Sequence, residues 1–461
     1  MAWSRREARE TNSITEGVIW QQLLIFFFPI LLGTFFQQLY NTADAMIVGK
    51  YVGKEALAAV GGATGVLINL LVGFFTGLAS GATVLISQYY GARKEREVSD
   101  TVHTAIAMSL WGGLIIMMLG LLFAPTVLRW MDTPEDIMDY ATTYIRIYFT
   151  GMVFSLVYNI GSGILRAVGD SRRPLYFLIA ACMTNIVLDV LFVMGLDMGV
   201  AGAALATVVS QAISAVLVVA TLCRSRFSYR LDLRKVRLHP EQFSGILRIG
   251  FPAGVQSVMY SLSNIIIQSA VNGFGTDTVA AWTAYGKLDG LFWMTMQAFG
   301  LSITTFVGQN FGARRYDRMK RSVWVCLGLA GTATLLLDAV LLSLGEYAYK
   351  LFADDPQVIE IGLEILRFLA PTWITYLCVE IFIGALRGVG DTVIPTLFSL
   401  FGVCLLRAVW VCGVSPHFHS LRVMLASYPI TWTLSSALFI IYYLRGNWLK
   451  RSMKKAGHVK A

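Results

Sequence analysis

Charge is what this sequence has least of. Only 14% of its 461 residues are Asp, Glu, Lys or Arg, against roughly a quarter in an ordinary soluble protein, and that scarcity excludes a water-soluble globular chain. Histidine is scarce too: His103, His239, His417, His419 and His458 are scattered, and the one close pair, His417 and His419, lacks the further ligands a metal centre needs. The six cysteines lie in or beside apolar runs without the spacing of a disulfide framework or a zinc knuckle. There is no Gly-Lys-Ser or Gly-Lys-Thr phosphate loop, which excludes ATP as the direct energy source. No convergent nucleophile, base and orienting group marks the chain as an enzyme, and no organic cofactor motif is present.

What is abundant is apolar. Hydrophobic residues make up 56% of the chain and aromatics 12%, with a mean hydropathy of +0.63, and they come in runs of about 20 or more, each long enough to cross a ~30 Å hydrocarbon core as a helix. Twelve spans are expected, near 18–46, 55–88, 100–125, 138–163, 174–196, 200–222, 244–270, 278–308, 322–345, 359–385, 393–413 and 422–444. The fold class is therefore all-α, a polytopic membrane protein whose first partner is the lipid bilayer. The first run follows a polar head with Arg5, Arg6 and Arg9 and has no small-residue cleavage site, so it reads as a retained span.

A net charge of +9 would suggest nucleic acid in a soluble chain. Here the bases sit in short connections: Arg93, Lys94 and Arg96; Arg172 and Arg173; Arg224 to Arg237; Arg314 to Arg321; Arg445 to Lys460. Alternate connections carry acids instead, such as Asp132, Glu135, Asp136, Asp354 and Asp355. That alternation orients a membrane protein with both termini in the cytoplasm and leaves no basic surface for nucleic acid. The plasma membrane is the expected location, and the chain is expected to work as a monomer.

The sequence also matches itself at a displacement of about 221 to 223 residues. Gln88-Tyr89-Tyr90-Gly91-Ala92-Arg93 returns as Gln309-Asn310-Phe311-Gly312-Ala313-Arg314, and Leu165-Arg166-Ala167-Val168-Gly169-Asp170 as Leu386-Arg387-Gly388-Val389-Gly390-Asp391. Pro29 and Asn41 correspond to Pro252 and Asn264. The reading is an N-terminal six-helix lobe over 1–223, a cytoplasmic linker over 224–240 and a C-terminal six-helix lobe over 241–461. With an even number of spans per half, the copies are parallel repeats, an architecture typical of secondary transporters. The matched Gly-Asp and Gly-Ala-Arg pieces are expected to turn helix ends, not to form a site.

Ionisable groups inside spans are costly and mark functional sites by default. Asp44 lies about 15 residues, ~22 Å of helix, beyond Pro29, and Asp189 a similar distance beyond Pro174. The two carboxylates reach a similar depth. Tyr40 precedes Asp44 by one turn, and Asn185 precedes Asp189 by one turn; Thr207 and Asn41 offer further oxygens. Two carboxylates in a low-dielectric cleft hold a shared proton or accept a small cation, so Asp44, Asn185 and Asp189 are the place for H+ or Na+, with no other metal. In the second half the matching positions are near Ile267 and Trp410, which are uncharged. That half instead offers Lys287, Asp289 and Glu380 as a charge network, together with Asp338 and Arg407. Pro29 should kink the first span and give Asp44 a mobile support. The Gly73, Gly77, Gly81 series is small-xxx-small spacing for close helix packing.

Leu39-Tyr40-Asn41-Thr42-Ala43-Asp44, Gly91-Ala92-Arg93, Leu165-Arg166-Ala167-Val168-Gly169-Asp170 and Asn185-Ile186-Val187-Leu188-Asp189 together resemble the multidrug and toxic compound extrusion (MATE) family, over nearly the whole chain from Ile14 to Leu444. The resemblance implies two six-helix bundles, alternating access, and export of drugs or metabolites, often cationic and aromatic, by antiport with H+ or Na+. Carried over by position, Asp44, Asn185, Asp189 and Thr207, with Tyr40 beside them, match that family's N-terminal polar cluster. The chain looks closer to the DinF-like than the NorM-like branch, because Tyr260 and Tyr376 stand where the latter places acids of a C-terminal cation site; Glu380, one turn from Tyr376, is the substitute on offer. The competing reading is a flippase for a lipid-linked saccharide precursor, kept open by Lys287 and Arg407.

Overall fold

The computed structural model describes residues 13–352 and 355–458. Helices dominate the described residues, and no strand occurs among them. Among the described residues, ten helical segments are long and apolar enough to cross a bilayer. An eleventh is the pair Glu135–Thr150 and Met152–Ala167, bent by 48° at Gly151. Twelve were expected. The remaining one is the 33-residue helix Pro240–Asn272, whose apolar run is interrupted by Gln256, Ser257, Ser261, Ser263, Asn264 and Gln268.

The chain forms two compact units, residues 28–254 and residues 1–27 with 255–461. Both divisions fall inside helices, beside prolines: Phe27/Phe28 next to Pro29 in Ile19–Tyr51, and Gly254/Val255 next to Pro252 in Pro240–Asn272. Each helix runs through its proline as one element.

Within the 28–254 unit, the start of Pro240–Asn272 crosses Ala63–Gly91 at backbone distance. A Cβ placed on Gly77 would lie 2.5 Å from the nitrogen of Gly254, and one on Gly81 would lie 2.8 Å from the nitrogen of Gly250. Gly77 and Gly81 thus pack as their spacing predicted, against a second pair with the same four-residue spacing. Below this crossing, Ile246 and Ile249 join Val84, Leu85, Val102, Ile164 and Leu222 in a buried core that also takes in Tyr229 and Leu231. In the other unit the start of Ile19–Tyr51 is held differently: Phe27 stacks on Phe299 with ring centroids 4.0 Å apart. Arg318 donates to the carbonyl of Ile14, at 3.0 and 3.2 Å, and to that of Gly17, while Arg315 donates to that of Thr15 at 2.7 Å.

The internal repeat is written into the backbone. Left-handed residues recur at matched positions: Gly53 and Gly275, Arg93 and Arg314, Gly169 and Gly390, Asp197 and His419. At Arg93 the Lys94 N–H reaches back to the carbonyl of Tyr89, and at Arg314 the Arg315 N–H reaches that of Asn310. At Gly169 and Gly390 the next N–H bonds Leu165 and Leu386 respectively. These are Schellman closures, so the repeated Gly-Ala-Arg and Gly-Asp pieces end helices, as expected. A π-helical turn also recurs, at Val190–Gly195 and Trp410–Val414.

Candidate functional site

The 28–254 unit gathers most of the polar residues singled out in its sequence. Three helices supply them: Ile19–Tyr51 carries Asp44, Arg172–Asp189 carries Asn185 and Asp189, and Gly199–Arg224 carries Thr207. Their convergence can be read from the adjacent layer. One turn beyond Asp44 is Val48, one turn beyond Asp189 is Val193, and one turn before Thr207 is Ala203, and all three are fully or nearly fully buried in one apolar cluster with Tyr144 and Ala204. A helical turn away from that cluster, the same three helix faces present Asp44, Asp189 and Thr207.

These groups are buried and largely without partners. Asp189 and Asn185 have no exposed surface and Asp44 keeps 7%. Neither carboxylate oxygen of Asp189, neither polar atom of Asn185, nor Oδ1 of Asp44 has a hydrogen-bond partner in the protein. The Asp44 carboxylate is close enough to act electrostatically on Asp189. Thr207 donates its hydroxyl to the carbonyl of Ala203 at 3.1 Å, which leaves its oxygen free to accept. Buried polar groups are nearly always paired; a cluster of acceptors left open is what a proton or a hard cation requires. No group of three or more His, Cys, Asp or Glu side chains suited to a metal occurs among the described residues.

Two tyrosines missed in the sequence belong here. Tyr144, 5% exposed, lies within electrostatic reach of both Asp44 and Asp189, and Tyr148 stacks near it with centroids 6.2 Å apart. Both sit on Glu135–Thr150, four residues apart, and that spacing on a strongly amphipathic helix was the available signal. Tyr40 is half-buried and lies near Tyr148. Asn41 is exposed and points back to Gln38 Oε1, at 3.4 Å. It does not join the cluster. Asp189 is also the last α-helical residue before the π turn Val190–Gly195, a distortion often found at functional positions.

In the second unit the proposed charge network is not gathered at one point. Lys287 is exposed. Asp289 accepts from Tyr285 Oη at 3.2 Å and from Trp293 Nε1 at 2.7 Å, and the nearby cation is Arg407. Glu380 accepts from Tyr376 Oη at 3.2 Å, Tyr376 lies 3.4 Å from Tyr260 through the hydroxyls, and the cation near Glu380 is Arg387. Arg387 in turn donates to Gln256 Oε1 at 3.2 Å, and Gln256 donates to Ser399 at 2.9 Å. Replacing Glu380 by Gln should therefore leave the ion dependence of export unchanged and cost about 1–3 kcal/mol of stability, because Arg387 loses its countercharge. Ion-dependent export and melting of the purified variant check both halves.

Helices long enough to span a bilayer, a duplicated backbone plan and buried, partnerless acids define a membrane transporter of the internally repeated kind. The MatE sequence profile matches residues 29–191 and 252–411, and the chain belongs to that family, the multidrug and toxic compound extrusion transporters. It is 27% identical to the probable multidrug resistance protein YoeA of Bacillus subtilis over 452 residues, covering 95% of this chain and 96% of that one. To the probable multidrug resistance protein NorM of Thermotoga maritima it is 24% identical over 441 residues, covering 92% of each. Its fold matches that of a MOP superfamily transporter from Pyrococcus furiosus with a TM-score of 0.88 at 23% identity, over 96% of this chain and 99% of the other. As a family member it is an ion-coupled multidrug efflux transporter, not an enzyme, and it needs no cofactor.

Proposed function

We propose that this protein exports organic, often cationic and aromatic compounds by alternating access, in antiport with H+ or Na+ bound at Asp44 and Asp189. Asn185, Thr207 and Tyr40 supply neutral oxygens to the same site, and Tyr144 lies beside it. The observation that carries the reading is the pair of buried carboxylates whose oxygens lack partners inside the protein. A structural acid would be tied to a base or to helix N–H groups, as Asp170 is to the N–H groups of Arg172 and Arg173. The N-terminal lobe over 1–223 carries the coupling chemistry in this scheme, the linker over 224–240 joins it to the C-terminal lobe over 241–461, and Pro29 gives the helix bearing Asp44 a point of flexure. In this reading the protein works in the plasma membrane as a monomer, and its connecting charges favour an orientation with both termini in the cytoplasm. Tyrosines at 260 and 376 favour the DinF-like branch.

The test is export of a fluorescent cationic dye from proteoliposomes under separately imposed proton and sodium gradients, for the native protein and for Asp44→Asn. One gradient should drive export and the substitution should reduce it to background in a protein that still melts cooperatively. Dye export that persists at native rate in Asp44→Asn would remove the coupling role.

A further inference from the structure

The last helix of the chain is a basic surface that the transport scheme does not use. The span before it, Ser427–Arg445, keeps Leu434, Leu438, Ile441 and Leu444 exposed along one side, an apolar stripe of the kind a span turns to hydrocarbon. Charge begins where that stripe ends, at Arg445, and after Gly446 and Asn447 the chain enters the eight-residue helix Trp448–Lys455. Residues four apart arrange this helix in parallel strips. Trp448 and Ser452 are buried against the protein, Leu449 and Met453 are half-buried beside them, and Lys450 and Lys454 are exposed beyond, with Lys455 exposed at the end.

This helix is held at three points, all within the C-terminal unit. At its start, Trp448 stacks on Tyr443 with ring centroids 5.0 Å apart and donates its indole N–H to the Tyr443 carbonyl at 2.8 Å. In its middle, Arg451 donates to the Tyr442 hydroxyl and lies 3.5 Å from Asp391 Oδ2, which also accepts from Tyr442 Oη at 2.6 Å. Its end closes at Gly457, in a left-handed conformation, where the His458 N–H reaches the carbonyl of Met453. That closure sets His458 Nδ1 2.8 Å from the Tyr316 hydroxyl and its ring 4.9 Å from that of Phe311. In the other copy of the repeat, Asp170, the match of Asp391, caps the N–H groups of Arg172 and Arg173 instead. The anchors leave the remaining bases unused: among the described residues, no carboxylate lies within ion-pair distance of Arg445, Lys450, Lys454 or Lys455. Charges that only orient a span need no fixed support. Four cations beside an apolar strip, held where a lipid-facing stripe ends, complement a surface that is anionic and apolar at once.

We propose that the helix Trp448–Lys455 is a docking surface for anionic phospholipid of the adjacent leaflet, in which Arg445, Lys450, Lys454 and Lys455 receive the phosphates and Leu449 and Met453 rest against the acyl chains. Asp391, through Arg451, and His458, through Tyr316, are positioning residues that hold the surface in place. Lipid binding here is independent of what the protein exports and of the ion that drives it.

The experiment follows the melting temperature of the full chain in uncharged detergent micelles as phosphatidylglycerol or phosphatidylcholine is added. Phosphatidylglycerol should reach half of its effect at a mole fraction about tenfold below that of phosphatidylcholine, and added salt should shrink the difference. Replacing Lys450, Lys454 and Lys455 together by Gln should remove most of the preference and leave the response to phosphatidylcholine as it was. Asp391→Asn should weaken phosphatidylglycerol severalfold although every cation is retained; His458→Ala, at the far end of the helix, carries the same test should Asp391→Asn not fold. Glycerol phosphate, which offers the anion without acyl chains, should have no effect at matched concentration. Equal responses to the two lipids, an undiminished preference in the triple Gln variant or in both positioning variants, or a response to glycerol phosphate or a short oligonucleotide as large as that to phosphatidylglycerol overturns the proposal.

Discussion

Asp189→Asn and Asp189→Leu should both abolish ion-driven efflux while melting at higher temperature than the native protein. The two effects have one cause. Asp189 has no exposed surface and neither of its oxygens has a partner in the protein, so its polar group pays the full cost of leaving water, about 1–3 kcal/mol for an unsatisfied group and more when ionised. Nearby Asp44 adds repulsion whenever both are charged. Asn keeps the shape and deletes the charge; Leu deletes the polar group as well, extending the apolar layer formed by Val48, Val193 and Ala203. Stability gained as activity is lost is the signature of a functional site held at a cost. If the coupling ion is sodium, adding it should raise the melting temperature of the native protein and leave both variants unmoved. A lower melting temperature in both variants would make the carboxylate a structural element and not a coupling group.

Much of the scheme is legible in the sequence because the bilayer leaves helices almost no alternative. Apolar runs locate all twelve of the long segments, and Pro240–Asn272 is the one whose hydropathy falls short of the other eleven: Gln256 is buried there on Ser399 and Arg387 of its own unit. The repeat identifies helix ends correctly, since Schellman closures depend on local chemistry that short motifs encode. The acids of the N-terminal site stand out because charge inside an apolar run is rare. What stays hidden are relations between helices. Nothing in an almost uniformly apolar run tells which face turns inward, so Tyr144 goes unnoticed, Gly250 and Gly254 are not seen as partners of Gly81 and Gly77, and Glu380 is paired with Lys287 instead of facing Arg387. The boundary between units is hidden for a related reason. It lies inside two continuous helices at Phe27/Phe28 and Gly254/Val255, while sequence symmetry marks only where the copies begin and end.

The glycine crossing yields the second large effect: Gly81→Val should leave little or no stable protein. A Cβ at that position would sit 2.8 Å from the nitrogen and 3.1 Å from the Cα of Gly250, and would press on the carbonyl of Ile246. All three are backbone atoms in a helix, so no rotamer change relieves the contact and the helices must separate. Separation would strip Ile246 and Ile249 from the core they share with Val84 and Leu85, adding lost burial to the strain. Overpacking ordinarily costs about 1–3 kcal/mol, and the combined effect should exceed about 4 kcal/mol, a large part of the stability of a whole domain. The matched control is Gly328→Ala, a helical glycine with nothing within 4 Å of the added Cβ, which should be neutral or stabilise by about 0.5–1 kcal/mol. Yield of monodisperse protein and its melting in detergent separate the two. Recovery of Gly81→Val at native yield and stability would mean that Ala63–Gly91 and Pro240–Asn272 do not meet at backbone distance, and the anchoring of the second helix within the 28–254 unit would have to be sought in its linker contacts, where Thr104 accepts from the His239 N–H at 3.1 Å and His103 Nε2 accepts from that of Asp232 at 3.1 Å.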